Sequence, residues 1–285
     1  MILVKKIPEL QKLLEKYRLA GQTIGFVPTM GALHAGHISL VAQSREANPI
    51  TVCSIFINPT QFNNAADFDK YPVTIEKDIN LLEKAGCTVL FMPSTAEMYP
   101  PNDPVVHYEL GSIETILEGK YRPGHFQGVC RIVDKLLAAV KPGTLYLGQK
   151  DYQQCMVIEK MISLKGHTTR LQVCDTVREP DGLAMSSRNM RLNAEEREQA
   201  LHISKILRAL KAGLQPGNLV SLKENAQQYL EENGFKVDYV EIADALTLAP
   251  VSNWDGKQKL VALVAAFLND VRLIDNLVLT TGENS

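Results

Sequence analysis

The chain has 285 residues, 45% of them hydrophobic and 22% charged, which is enough apolar side chain to bury a sizeable core and excludes general disorder. Thirty basic against thirty-two acidic residues leave a formal net charge of -2, so no overall basic field is present to hold nucleic acid and any anion site must be local. The apolar run Leu260–Leu268 is far shorter than the roughly 20 residues that span a bilayer, and Met1-Ile-Leu-Val-Lys-Lys lacks the shape of a signal peptide, so a cytoplasmic chain without a membrane partner is expected.

In chain order, strands are predicted near 23–28, 50–57, 87–92, 144–148 and 170–177, and helices near 36–47, 74–85, 125–140 and 151–165. This alternation predicts an α/β fold, a Rossmann-like doubly wound parallel sheet with helices on both faces. Gly86 and Gly166 sit where C-terminal helix caps belong, and Pro142-Gly143 stops the longest helical pattern. After Asn193 come two helical patterns, 194–212 and 219–233, parted by Gly213-Leu-Gln-Pro-Gly217, and then strand-like runs near 236–242, 259–267 and 272–279. A smaller α+β C-terminal domain is therefore expected, with the division at 1–177 and 178–285. Glu195-Glu-Arg-Glu198 reads as a helix N-terminus with its solvated face. The five cysteines are scattered without C-x-x-C spacing and read as reduced core residues. Cys155, beside a polar motif, is the one placed to line a site without reacting.

In doubly wound folds ligands bind beyond the carboxyl ends of the strands, and here the segments after each apolar run are rich in polar groups. The first is Pro28-Thr-Met-Gly-Ala-Leu-His-Ala-Gly-His37. Gly31 and Gly36 allow close approach of a phosphate chain to the start of a helix, where unpaired N–H groups and the dipole favour anions. His34 and His37, three residues apart, can both turn N–H donors toward a phosphate that gains charge during transfer. Asn58-Pro-Thr-Gln61 presents neutral amides, which suit hydroxyls and a carboxylate on a small polar substrate. Gly148-Gln149-Lys150-Asp151 offers an ammonium that can reach phosphate, with Asp151 in a first-turn position. Met185-Ser186-Ser187-Arg188 offers two hydroxyls and a guanidinium suited to clamping a triphosphate. Taken singly, each motif has a simpler reading: solvated loop histidines, an Asn-Pro turn, a cap beside a surface lysine, a surface turn. Tyr121-Arg-Pro-Gly-His-Phe-Gln-Gly128 stays open between lid and turn, and His107, His167 and His202 read as structural or surface residues. No motif supplies a metal cage, so Mg2+ is expected to ride on phosphates.

Together P-T-M-G-A-L-H-A-G-H, F-I-N-P-T-Q-F, R-P-G-H-F-Q-G-V, G-Q-K-D-Y-Q-Q and R-E-P-D-G-L-A-M-S-S-R-N, in this order from about residue 22 to 193, resemble the pantoate beta-alanine ligase family. The runs Ala265-Ala-Phe-Leu268 and Arg272-Leu-Ile-Asp-Asn276 are similar to the end of that family. The resemblance implies an ATP-dependent ligase that joins (R)-pantoate to beta-alanine through a pantoyl adenylate, releasing AMP and pyrophosphate, with Mg2+ on the nucleotide and a homodimeric assembly. It implies an ATP site formed by Met30, Gly31, Ala32, Leu33, His34, Ala35, Gly36 and His37, completed by Gly148, Gln149, Lys150, Asp151, Val177, Met185, Ser186, Ser187 and Arg188. His37 would be the proton donor, and Gln61 and Gln154 would hold pantoate, Gln61 also lying near beta-alanine. His34, His37, Lys150 and Arg188 would offset the repulsion of a carboxylate attacking the α-phosphate, while the smaller domain covers the adenylate. One departure is Gln149, where many relatives carry glutamate; it bears on tuning beside Lys150 rather than on activity. Two other readings remain at this stage: an adenylyltransferase acting on a phosphorylated acceptor, which the amides at Asn58 and Gln61 disfavour, and a nucleotide-sensing module.

Overall fold

The structure, a computed structural model, describes residues 1–63 and 68–280. Two compact units are present: Met1–Gln149 with Gln154–Asp175, and Lys150–Gln153 with Thr176–Ser285.

The first unit is built on six parallel strands, β1 (Ile2–Val4), β2 (Ile24–Thr29), β3 (Ile50–Ile55), β4 (Val89–Phe91), β5 (Thr144–Gly148) and β6 (Arg170–Cys174), in the order β1-β4-β3-β2-β5-β6. All six residues of β3 are buried, as expected of a strand covered on both faces. Helices α1 (Ile7–Leu19), α2 (Ala35–Ala47), α3 (Ile75–Lys84), α4 (His125–Val140) and α5 (Tyr152–Lys165) connect or follow the strands. Gly86 and Gly166 do terminate helices, with φ of +71 and +66, and the next residues, Cys87 and His167, donate back to Leu82 and Ile162, closing each last turn. The pair β1 and α1 was not predicted. β1 is three residues long with two of them exposed, so it carries no alternation, and only Leu10 and Leu14 of α1 are buried.

From β2 the chain winds outward through β3 to β4, then returns to the other side of β2 for β5 and β6, so the strand order reverses between β2 and β5. The crevice at the carboxyl ends of such a pair is where doubly wound sheets bind ligands. At the amino end of β2, Gly25 explains how the C-terminal end of α2 comes to lie close on the sheet. A Cβ there would sit 2.2 Å from Ser44 Oγ and 2.7 Å from Asn48 Nδ2, and the Asn48 amide donates to Ser44 O (3.0 Å) and Tyr146 Oη (2.9 Å). A side chain at position 25 would lift the helix from the sheet.

The second unit packs α6 (Ala194–Ala212) and α7 (Val220–Glu232) on a three-stranded antiparallel sheet, β8 (Lys236–Asp244), β10 (Leu260–Leu268) and β11 (Val271–Val278), with β10 central. Leu207, Leu210, Leu230, Ile242 and Val264 belong to its core. A capping box opens α6: Asn193 Oδ1 accepts from Glu196 N and Glu196 Oε2 accepts from Asn193 N, each at 2.9 Å. The two-residue ribbon of β7 (Gly217–Asn218) and β9 (Asn253–Trp254) is too short to leave a pattern in the sequence. Among the described residues no helix is long and apolar enough to cross a membrane.

Candidate active site

The loop after β2 is held from below its own backbone. Thr29 Oγ1 donates to Ser54 O (2.7 Å) and accepts from Gly31 N (3.2 Å), and the chain then turns through φ +85 at Gly31 and +49 at Ala32. The carboxylate of Asp78, on α3 and 1% exposed, accepts from Ala32 N at 2.9 Å, from Leu33 N at 2.8 Å and from Thr74 Oγ1 at 3.0 Å. Two N–H groups that the sequence offers to a phosphate are thus already engaged by a protein anion. Asp78 was missed, although it lies on the apolar stripe of α3 with Ile75, Ile79 and Leu82, a place where a charge needs a reason.

At the start of α2 the two imidazoles act as caps. His34 Nδ1 accepts from Gly36 N (3.2 Å) and His37 Nδ1 accepts from His34 N (3.3 Å), with the ring centres 4.1 Å apart. A nitrogen that accepts carries no proton, so in each neutral ring the proton sits on Nε2, the atom turned away from the cap. The cap therefore selects the tautomer that can donate to an oxyanion.

The Asn58–Gln61 turn follows β3, and its two amides have different duties. Asn58 is 1% exposed; its Nδ2 donates to Gly128 O (3.1 Å) and Gln61 Oε1 (3.0 Å), while its Oδ1 accepts from Tyr99 Oη (2.7 Å), Thr60 Oγ1 (3.0 Å) and Thr60 N (3.3 Å). Those partners engage both of its N–H groups and its carbonyl, so Asn58 holds Gln61 in orientation. Backbone donors and acceptors fix its orientation, and Gln61 follows: Oε1 turns to Asn58, and Nε2 reaches Met30 Sδ at 3.1 Å. The end that Gln61 has to offer is thus an N–H donor. Burial pushes the Tyr99 phenol above its ordinary value, which keeps its hydroxyl a donor to Asn58. The Arg131 guanidinium lies over the Tyr99 ring, 4.8 Å from its centre.

The Tyr121–Gly128 stretch is the footing of this turn. His125 Nδ1 donates to Gln61 O (2.8 Å), Arg122 Nη1 donates to His125 Nε2 (3.1 Å), and Arg122 Nη2 reaches Gln61 O at 3.4 Å. A Cβ on Gly128 would lie 2.1 Å from Thr60 O, so only glycine lets α4 approach the turn. At the end of β5, Gly148 O accepts from Cys155 Sγ (3.4 Å), Gln149 opens a short 3-10 turn (Gln149–Asp151), and Gln154 lies half-buried on α5. All five cysteines are buried. Burial raises the Cys53 thiol well above its ordinary value, Cys87 and Cys174 to about 11 and Cys130 to about 12, which leaves them protonated and unreactive. The first unit thus gathers Met30–His37, Asn58–Gln61 and Gly148–Gln149 at the carboxyl ends of β2, β3 and β5.

The second unit carries Lys150, Asp151, Val177 and Met185–Arg188. Met185 N donates to Val177 O (3.0 Å) and Arg178 bridges to Ala184, forming a small hairpin whose tip turns at Gly182 with φ +97. Ser186 Oγ accepts from Arg188 N (3.2 Å), capping the 3-10 turn Ser187–Arg191. Asn189 Nδ2 donates to Ala184 O (3.0 Å), and its Oδ1 is buried without a hydrogen bond, as is Thr176 Oγ1. Among the described residues no group of three His, Cys, Asp or Glu side chains is arranged to hold a metal ion.

Known proteins resemble the chain over nearly its whole length. A pantothenate synthetase of Bacteroides fragilis is 45% identical over 280 residues, 97% of this chain and 98% of that protein. The crystal structure of pantothenate synthetase from Thermus thermophilus superimposes with a TM-score of 0.90 at 39% identity, covering 99% of this chain and 100% of that one. A pantoate-beta-alanine ligase from Francisella tularensis, crystallised in complex with beta-gamma ATP and beta-alanine, superimposes with a TM-score of 0.82 at 39% identity and 99% coverage of both. With the sequence model of pantoate-beta-alanine ligase matching residues 2–278, the chain belongs to the pantoate-beta-alanine ligase family.

Proposed function

We infer that the chain condenses (R)-pantoate with beta-alanine, using ATP to activate the acid. The observation that carries this reading is the paired-imidazole cap at the carboxyl end of β2, standing beside an oriented Gln61 amide: anion donors next to a neutral donor suited to a small carboxylate. The pantoate carboxylate attacks the α-phosphorus, the bond to pyrophosphate breaks, and the pyrophosphate carries away the electron pair. The amine of beta-alanine then attacks the acyl carbon of the adenylate, AMP leaves, and the nitrogen loses a proton. Nothing in the first step requires a protein nucleophile, so positioning and electrostatics dominate.

In this reading Met30–His37, Gly148–Asp151, Val177 and Met185–Arg188 bind ATP; His34, His37, Lys150 and Arg188 stabilise charge as it builds on the phosphates; Gln61 and Gln154 hold pantoate, with Asn58 acting through Gln61. Mg2+, when bound, neutralises part of the triphosphate charge. The reading also includes a homodimer in the cytoplasm, the former checked by sedimentation of the purified protein. A phosphorylated acceptor fits less well, because Gln61 supplies a neutral donor where such an acceptor would need cations.

The direct test is AMP and pyrophosphate release from ATP and Mg2+, first with pantoate alone and then with beta-alanine. The expected result is a single burst of pyrophosphate with pantoate and sustained turnover to pantothenate only with both; turnover requiring a phosphorylated acceptor instead would overturn the assignment. Gly128→Ala is expected to displace the turn that carries Gln61 and to lower kcat/KM for pantoate on the order of 10²-fold, with KM for ATP little changed. Steady-state kinetics with each substrate varied in turn would check it.

A further inference from the structure

Lys150 stands in the three-residue 3-10 turn Gln149–Asp151. Two contacts from the same unit hold the segment. Asn276 of β11, 2% exposed, donates from Nδ2 to Lys150 O at 2.9 Å, and Tyr152 Oη donates to Ala245 O at 2.8 Å. The neighbour of Asn276 ties the same strand to the other phosphate-binding motif. Asp275 receives Arg178 in a two-pronged pair, Nη1 to Oδ2 at 2.6 Å and Nη2 to Oδ1 at 3.0 Å, and its Oδ1 also accepts from Asn276 N at 2.8 Å. Arg178 further donates to Asn276 O (3.3 Å) and Gly182 O (3.2 Å), which fixes the hairpin that ends in Met185-Ser186-Ser187-Arg188. Adjacent residues of one strand therefore hold the main chain of Lys150 on one side and the Arg178 hairpin on the other.

We propose that Asn276 and Tyr152 are positioning residues for Lys150, and that β11 holds Lys150 in register with Ser186–Arg188 so that both present their donors to one triphosphate as a preassembled clamp. The proposal rests on the reading of Lys150 and Arg188 as phosphate ligands. Asn276 is suited to this work because its amide nitrogen meets a main-chain carbonyl, which can only accept; Asn276→Asp would set a carboxylate against that carbonyl, and Asn276→Ala removes the tie outright.

A mutant cycle read by ATP affinity tests this, since binding is measurable where turnover is lost. Kd for ATP with Mg2+ is titrated for the parent, Asn276→Ala, Lys150→Ala and the double variant, with melting temperatures alongside. The expected result is that Asn276→Ala weakens ATP roughly tenfold in the parent and less than twofold when Lys150 is already alanine, with KM for beta-alanine unchanged. Equal weakening in both backgrounds, or none in either, would overturn the proposal. Should Lys150→Ala itself leave ATP affinity and pyrophosphate release intact, the underlying assignment of Lys150 fails instead, a separate outcome. Tyr152→Phe, which deletes one hydroxyl, repeats the cycle if Asn276→Ala does not fold, and is expected to give the same dependence on Lys150.

Discussion

Lys150→Ala is expected to slow pyrophosphate release from ATP and pantoate on the order of 10³-fold while the protein still folds. A carboxylate approaching a phosphorus surrounded by anionic oxygens meets repulsion before any bond forms, and the leaving pyrophosphate gains further charge. In the proposed site the ammonium of Lys150, a half-buried residue, acts on both as a compact charge with three donors. The fold should survive because the ties to this segment described above run through the carbonyl of Lys150 and the hydroxyl of Tyr152, both kept in the variant. Rapid-quench measurement of a single turnover, with pantoate and without beta-alanine, isolates the step. A burst of near-normal rate would remove Lys150 from the mechanism.

His37 carries a second large effect, and the cap geometry allows its two roles to be separated. Its Nδ1 accepts from His34 N, and its Nε2 carries the proton that can be offered to the phosphates. His37→Ala removes both, so adenylate formation should fall by roughly 10²- to 10³-fold and stability by about 1 kcal/mol. His37→Asn retains an oxygen close to the position of Nδ1 and has no atom at Nε2. It is expected to melt near the parent and yet to be as slow as His37→Ala. If His37→Asn recovers activity along with stability, the imidazole serves the helix start alone, and proton donation must be sought elsewhere.

The parallel sheet and the order of the nucleotide motifs were legible because they depend on local signals. Runs rich in β-branched residues such as Ile50–Ile55 mark strands, and Gly86 and Gly166 mark helix ends. The H-x-G-H loop and Gln61 announce themselves by residue type. What stayed hidden are the groups that hold them, since each acts on a partner far along the chain: Asp78 on Leu33 across 45 positions, Tyr99 on Asn58 across 41, Asn276 on Lys150 across 126. The contacts of Asn58 were hidden for the same reason. An amide looks alike in sequence whether it meets a substrate or, as here, a glycine carbonyl 70 positions away.

The grip of Asp78 on the loop after β2 bears on the thermodynamics of nucleotide capture. Ala32 at φ +49 occupies a conformation that costs a non-glycine residue about 1 kcal/mol or more, and a buried carboxylate on the N–H groups of Ala32 and Leu33 offsets that cost from within the protein. The protein's own hydrogen bonds thus favour the ordered loop, and in the proposed reading ATP meets a surface shaped during folding. Its association should show little of the entropy loss and heat release that accompany ordering of a slack segment, because that loss is charged to the folding equilibrium rather than to binding.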